Sequence, residues 1–239
     1  MVGALQYLTF AQPDLAFNVH RLCKFMHTPT TTHLEAAKRV LKYIRGSFIR
    51  GIHFSPSLLA LSTFTDADWA REPSDRNSTT GFFVFLGSNP ISWSSKKQTT
   101  VARSTKAEYH ALATTTAELA WLRILFKELR SFLSHVPILW CDNVSTIALA
   151  SNLVFHARRK HIEVDFHYIR EKVICHYFCV WFVSGKDNFA NIFTKPLSSP
   201  MFLLLRRKLM VVSSPIRLRR DVKLEEINDN ISASPQTIS

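Results

Sequence analysis

Acidic residues are scarce in this chain, whose 239 residues include 18 Asp and Glu against 30 Lys and Arg. The net charge of +12 and the isoelectric point near 9.8 indicate a polyanionic partner and carry no information about the fold. Residues 1–60 contain only two acids, Asp14 and Glu35. Each acid inside an ordered segment therefore needs a structural or a functional explanation.

Long apolar runs and cysteine patterns are also lacking. No run of about 18 apolar residues exists, so we expect neither a transmembrane helix nor a membrane partner. Residues 1–5 lack the basic segment of a signal peptide, and the four cysteines lack the paired spacing of a zinc site. A reduced, intracellular protein is the simplest interpretation. With 46% hydrophobic residues, the chain can still build one domain core and a smaller adjoining piece.

Hydrophobic periodicity divides the chain into a helical N-terminal part and a longer mixed part. Two helices are predicted first, the second ending at Gly46, and a linker at 55–57 marks the boundary. Apolar and β-branched segments predict strands at 49–54, 61–67, 81–86, 91–95, 136–141 and 177–183. Helical spacing predicts helices at 106–131, 144–150, 161–175 and 188–194, with 201–210 as a continuation of the last. The polar sequence after residue 212 predicts disorder.

Three acids lie where predicted elements begin or end. Asp66 closes the strand at 61–67, Asp142 follows the strand at 136–141, and Glu108 lies in the first turn of a long helix. Strand ends form the crevice in which helix-covered sheets bind ligands. Carboxylates brought together there repel each other unless a cation neutralises them, and their hard oxygens suit Mg²⁺ or Mn²⁺. Two such ions held by carboxylates are the usual device for cleaving phosphodiesters.

Each acid also has a purely structural explanation. Asp66 could be a surface residue at a strand end, and Asp142 could cap the helix that follows it. Glu108 could complete a capping box that starts at Thr105. The basic residues of the second N-terminal helix could line a solvated face as readily as face nucleic acid. The spacing alone leaves these alternatives open.

Several collinear motifs narrow the choice. They are TDADWA at 65–70, DRNSTTG at 75–81, ISWSSKKQ at 91–98, RSTKAEY at 103–109, CDN at 141–143, KHI at 160–162 and IFTKPL at 192–197. Together they resemble the ribonuclease H domain of Ty1/copia-type retrotransposon polyproteins. VGALQYL at 2–8, PDLA at 13–16 and AAKRVLKYI at 36–44 resemble the end of the preceding reverse transcriptase. The resemblance extends over residues 2–210.

The resemblance implies an α/β fold of the ribonuclease H type: a mixed five-stranded sheet, its first three strands antiparallel, flanked by helices. It implies three segments along the chain. Residues 1–57 would be the C-terminal remnant of the reverse transcriptase, with thumb- or connection-like helices, and 58–211 the ribonuclease H-like domain, followed by a disordered tail at 212–239. The rest of the reverse transcriptase would then be a partner within a longer polyprotein.

The resemblance also implies cleavage of the RNA strand of RNA–DNA hybrids by two-metal-ion hydrolysis, with Mg²⁺ or Mn²⁺ as cofactor. The matching metal-ligand positions are Asp66, Glu108 and Asp142, and Asn191 stands at the fourth catalytic position. A basic loop would contact the phosphates of the hybrid, and a 2′-hydroxyl contact would distinguish RNA from DNA. The residues expected to make the phosphate contacts are Lys96, Lys97, Arg103, Ser104 and Thr105.

Two positions depart from the family pattern. The family has a fourth acid where this chain has Asn191, and a neutral amide oxygen should hold a metal less tightly than a carboxylate. The family also has an acid where Lys106 stands, two residues before Glu108, and this lysine could compete with a metal. The alternative function is therefore a non-catalytic fragment of a retrotransposon that keeps the fold and a basic nucleic-acid-binding surface.

Overall fold

The computed structural model describes residues 2–69, 76–99, 104–151, 163–209 and 211–213. The N-terminal part is helical, with α1 (Val2–Leu8), a 3₁₀ helix (Pro13–Leu15), α2 (Ala16–Lys24) and α3 (Thr31–Ser47). Thr30 caps α3, because its side chain accepts the His33 N–H while its own N–H bonds His33 Nδ1 at 3.1 Å. Because α3 continues past Gly46, the prediction that this glycine ends the helix is wrong.

Five strands form the central sheet: β2 (Leu61–Asp68), β3 (Thr79–Leu86), β4 (Asn89–Lys97), β5 (Ile138–Cys141) and β6 (Cys179–Phe182). Their spatial order is β4–β3–β2–β5–β6. The first three strands pair antiparallel, whereas β5 runs parallel to both of its neighbours, β2 and β6. The predicted fold class, a ribonuclease H-like mixed sheet flanked by helices, is confirmed.

Helices cover both faces of the sheet, because successive residues of its central strands point to opposite faces and both sets are apolar. Phe82 and Val84 pack against α4 (Ser104–Glu128), α5 (Val144–Ser151) and α6 (Glu163–Ile174). Phe83 and Phe85 pack against α7 (Asn191–Thr194) and α8 (Ser199–Lys208). Within the described ranges, no helix is both long enough and apolar enough to span a bilayer.

The C-terminal elements differ from the sequence-based expectation. The helix predicted to continue through 201–210 is divided, because α7 ends before Pro196 and α8 starts afresh with Pro200 in its first turn. Residues 211–213 form β7 (Val211–Ser213), which pairs antiparallel with β1 (Arg50–Ile52) in a separate two-stranded sheet. The rest of the predicted disordered tail, 214–239, lies outside the described residues.

Candidate active site

Asp66 lies near the carboxyl end of β2, opposite Gly81 of β3. Its side chain is completely buried on the sheet face covered by α7. Thr194 Oγ1 donates a hydrogen bond to Asp66 Oδ2, and Lys195 Nζ lies 2.9 Å from Asp66 Oδ1. The interpretation of Asp66 as a surface residue is therefore wrong: it is a buried carboxylate with a cationic partner.

Glu108 reaches the same end of the sheet from α4. It is the fifth residue of the helix, and Thr105 lies inside the first turn, so the capping-box interpretation is wrong. The Glu108 carboxyl accepts a hydrogen bond from the Ala67 N–H, next to Asp66. Its Oε2 atom is buried and has no hydrogen-bond partner among the described residues. A buried, unpartnered carboxyl oxygen is costly unless another group or a cation meets it.

Asp142 follows β5 directly and is not the cap of α5. Asn143 takes that role, because its Oδ1 accepts the Thr146 N–H at 3.0 Å. Asp142 is thereby left to face Glu108 and Cys141, and the donor atoms of these three residues lie within 4.8 Å of one another. Asp66 is not a member of this close group.

Electrostatics nevertheless join Asp66 to the other two acids. Burial, followed by the charges of Asp66 and Asp142, raises the pKa of Glu108 to about 9. Burial and the Asp66 charge also raise the pKa of Asp142 above its ordinary value. Burial raises the pKa of the Cys141 thiol to about 12, so this sulfur stays protonated at neutral pH. The oxygens of the three acids are therefore the natural cation ligands.

Asn191 lies at the start of α7, and Lys195 follows that helix. Lys195 Nζ lies 2.8 Å from Asn191 Oδ1, so its ammonium bridges the amide and Asp66. Asn191 Nδ2 in turn donates to the Gly185 carbonyl. The cation that lowers the pKa of both Glu108 and Asp142 is Lys195. Lys195, rather than the predicted Lys106, is therefore the lysine beside these acids.

Besides Thr194 and Lys195, three other residues of the site were not predicted from the sequence. Gln98 Nε2 joins β3 to α4, donating to Thr80 Oγ1 at 3.0 Å and to the Ala107 carbonyl at 2.8 Å. Asn188 Nδ2 donates to the Thr65 carbonyl at 2.9 Å, and its side chain also bonds Asp142. The third is Cys141, whose position beside Asp142 was the only available signal.

The expected phosphate-contact residues do not form one loop. Lys96 and Lys97 are the last two residues of β4, so their side chains point to opposite faces of the sheet. Lys96 is exposed, whereas Lys97 lies close to α2, where burial and then the charges of Lys24 and Lys97 lower the pKa of His20. Ser104 and Thr105 begin α4, and Arg103 lies outside the described residues.

Comparison with known proteins identifies relatives over most of the chain. It is 47% identical over 217 residues to the retrovirus-related Pol polyprotein from transposon RE2 of Arabidopsis thaliana, covering 90% of this chain and 15% of that protein. It is 37% identical over 207 residues to the corresponding polyprotein from transposon TNT 1-94 of Nicotiana tabacum, covering 86% and 16%. The chain therefore spans less than one-fifth of the length of either relative.

Among solved structures, LC11-RNase H1 in complex with an RNA/DNA hybrid aligns with a TM-score of 0.41 and 13% identity. The alignment covers 54% of this chain and 88% of that one. No protein-family model matches the chain.

Proposed function

Because the chain belongs to the Ty1/copia-type Pol polyproteins, of which it matches one segment, we propose that it is their ribonuclease H. In this proposal it cleaves the RNA strand of RNA–DNA hybrids by metal-dependent hydrolysis. Asp66, Glu108 and Asp142 are the catalytic acids, and Asn191 stands at the fourth position. The substrate and the reaction are proposals for this segment alone, as is its action together with the rest of the reverse transcriptase.

The observation that carries the proposal is the charge cluster at the carboxyl ends of β2 and β5. Three acids share this site, and burial and mutual repulsion raise the pKa of two of them, Glu108 and Asp142. Glu108 Oε2 is buried without a hydrogen-bond partner among the described residues. A hard divalent cation would supply that partner and relieve the repulsion, so the donor set fits Mg²⁺ or Mn²⁺.

The residues of the site have separable roles in this proposal. Glu108 and Asp142 hold a divalent ion, and Asn188 orients Asp142 through its side-chain hydrogen bond. Asp66 is fixed by Thr194, so its carboxylate stays aimed at the same region. A bound ion would supply activation of the attacking water and stabilisation of the leaving oxygen.

Binding of the hybrid is proposed to rest on positive charge around the site. The chain carries a net charge of +12, and Lys96 is exposed at the end of β4. Ser104, exposed at the start of α4, and Thr105 offer hydroxyl groups for a phosphate or 2′-hydroxyl contact. Lys97 is given no phosphate contact, because it lies beside His20 of α2.

A second candidate function is binding of hybrids without cleavage. The observation that favours it is the Lys195 ammonium, which lies within 3 Å of oxygens of both Asp66 and Asn191. An ammonium that already pairs with one catalytic acid reduces the negative charge that is available to bind a metal ion. Hydrolysis of an RNA–DNA hybrid decides between the two functions.

The test is hydrolysis of an end-labelled RNA–DNA hybrid by the purified chain, with DNA duplex and RNA duplex as matched substrates. We expect cleavage of the RNA strand of the hybrid alone, dependent on Mg²⁺ or Mn²⁺ and abolished by a chelator. Asp66→Asn should abolish cleavage and retain hybrid binding, because the binding charges lie on Lys and Arg. If the chain binds the hybrid but does not cleave it at any concentration of Mg²⁺ or Mn²⁺, the second function is established instead.

A further inference from the structure

Lys195 is held between two residues of the candidate site. Its ammonium lies 2.9 Å from Asp66 Oδ1 and 2.8 Å from Asn191 Oδ1. Asp66 is completely buried, and the Lys195 side chain is 30% exposed. An ion pair between a buried carboxylate and a partly buried ammonium is difficult to break unless another cation replaces the ammonium.

We propose that Lys195 is a built-in counter-ion of Asp66 and that it limits this chain to one divalent ion, held on the side of Glu108 and Asp142. This inference rests on the proposed metal dependence and adds to it the number of ions and the residue that sets this number. Lys195 is a positioning residue here, since it acts through Asp66.

Charge balance supports one ion. Asp66, Glu108 and Asp142 carry three negative charges when ionised, and one divalent ion together with one ammonium balances them. A second divalent ion would leave the partly buried cluster positively charged while Lys195 remains, which is unfavourable where water is largely excluded.

The hydrogen bonds around Asn191 support the same conclusion. Its Nδ2 donates to the Gly185 carbonyl, which leaves Oδ1 to accept from Lys195. Both polar atoms of the amide are therefore used. A carboxylate in the same place would set an oxygen against the Gly185 carbonyl, and two acceptors cannot bond each other. Asparagine thus fits this position, where one neighbour is a carbonyl that needs a donor and the other is an ammonium that needs an acceptor.

The protonation state of Lys195 is consistent with this arrangement. Burial alone would lower its pKa, but the charge of Asp66 and the hydrogen bond to it raise the pKa above its ordinary value. The amine is therefore charged across the neutral range. It has three donors, of which Asp66 and Asn191 use two.

The test is calorimetric titration of the full chain with Mn²⁺, comparing the parent with Lys195→Met and with Lys195→Arg as the charge-retaining control. We expect one Mn²⁺ per parent chain. Lys195→Met should bind Mn²⁺ at least about tenfold more tightly, because it frees Asp66 and removes a repelling charge. Lys195→Arg should resemble the parent. Two ions per parent chain, or equal affinity and number in the parent and Lys195→Met, would overturn the inference.

Thermal unfolding provides a second measurement on the same proteins. Without metal, Lys195→Met leaves the acids uncompensated, so Mn²⁺ should raise its Tm by more than it raises the Tm of the parent. Lys195→Gln, which keeps a hydrogen-bonding side chain, replaces Lys195→Met if the latter does not fold, with the same expectation. An equal Mn²⁺-induced rise in Tm for the neutral variant and the parent contradicts the inference.

The hybrid-cleavage assay separates this inference from the proposed function. If the parent chain binds one Mn²⁺ but does not cleave the hybrid, the inference is supported and the proposed ribonuclease activity is contradicted. If the parent chain binds two ions and cleaves the hybrid, the activity is supported and the inference is contradicted. A parent chain that binds no Mn²⁺ overturns both.

Discussion

Glu108 carries a proton at neutral pH in the metal-free site, because burial and then the charges of Asp66 and Asp142 raise its pKa to about 9. A carboxyl group must lose its proton to ligate a metal, so Mn²⁺ binding releases this proton. We therefore expect the affinity for Mn²⁺ to rise with pH up to about 9 and then to level off. The slope should not exceed about tenfold per pH unit for this one proton. Calorimetric titrations at a series of pH values measure it.

Glu108→Gln is the control for this effect, since it removes the titrating group. The same pKa shift predicts the stability of the metal-free chain. The native state holds the Glu108 proton more tightly than the unfolded state, so stability falls as pH rises from the ordinary value of 4.5 towards 9. Glu108→Gln should weaken both dependences. An Mn²⁺ affinity that does not change between neutral pH and pH 9 would contradict the assignment of Glu108 as a ligand.

The sequence pointed to the three acids whose charges interact in the structure, but it did not reveal the lysine beside them. Asp66, Glu108 and Asp142 could be found because acids are rare in the chain and these lie where strands end or a helix begins. Lys195 stands four residues after Asn191, a spacing that brings side chains together on a helical turn, and this signal was available. Whether Lys195 pairs with Asp66 depends on how α7 packs on the sheet, and no local sequence pattern determines this packing.

Gly81 allows α7 to approach the sheet at the site. A Cβ atom at this position would lie 2.6 Å from Thr194 Cγ2 and 2.8 Å from Phe193 Cβ, closer than real contacts permit. Gly81→Ala should therefore push α7 away from β3 and cost about 1–3 kcal/mol of unfolding free energy. The same shift would move Thr194 and Lys195 relative to Asp66. Urea unfolding measures the loss.

Gly46→Ala is the matched control, because nothing lies within 4 Å of the Cβ that it would add. Gly46 lies inside α3, so alanine should stabilise the chain by about 0.5–1 kcal/mol. If Gly81→Ala is as stable as the parent, α7 does not pack against β3 as closely as the distances indicate.

Elements with strong local patterns were predicted well, and those defined by distant pairing were not. The apolar segments at 61–67 and 81–86 correspond to β2 and β3. By contrast, β4 extends two residues beyond its predicted end, because pairing with Thr79 and Thr80 holds Lys97 and Lys96 in the sheet. The pairing of β1 with β7 joins residues far apart in the chain. The periodicity of hydrophobic residues does not indicate which distant strands pair with each other.

Contacts cross the predicted domain boundary at residue 57 in several places. Trp93 Nε1 donates to the Thr9 carbonyl at 2.7 Å, and Ala16 belongs to the apolar cluster of Phe83 and Phe193. A second polar connection runs from Asp14 through Tyr43 to α8. The Tyr43 hydroxyl donates to Asp14 Oδ2 and accepts from Arg206 Nη1 at 3.0 Å. The boundary remains a prediction from sequence, and these contacts indicate that its two sides unfold together.

Tyr43→Phe tests this coupling between the two parts of the chain. The substitution removes the hydroxyl between Asp14 and Arg206, both of which are buried. It should cost about 1–3 kcal/mol, because it leaves polar groups without their partner. All five tryptophans lie after residue 57, so their fluorescence reports on the ribonuclease H-like part, and Trp93 also senses the N-terminal part through its hydrogen bond to Thr9.

If the two parts unfold as one unit, Tyr43→Phe should lower the urea midpoint of the tryptophan transition, and far-UV circular dichroism should give the same midpoint. Tyr7→Phe is the control, since Tyr7 is 77% exposed and its change should leave the midpoint where it is. A tryptophan transition that Tyr43→Phe does not move, alongside an earlier loss of helical signal, would show that the N-terminal helices unfold independently. The crossing hydrogen bonds would then contribute little to stability, because a coupled unit cannot lose one half first.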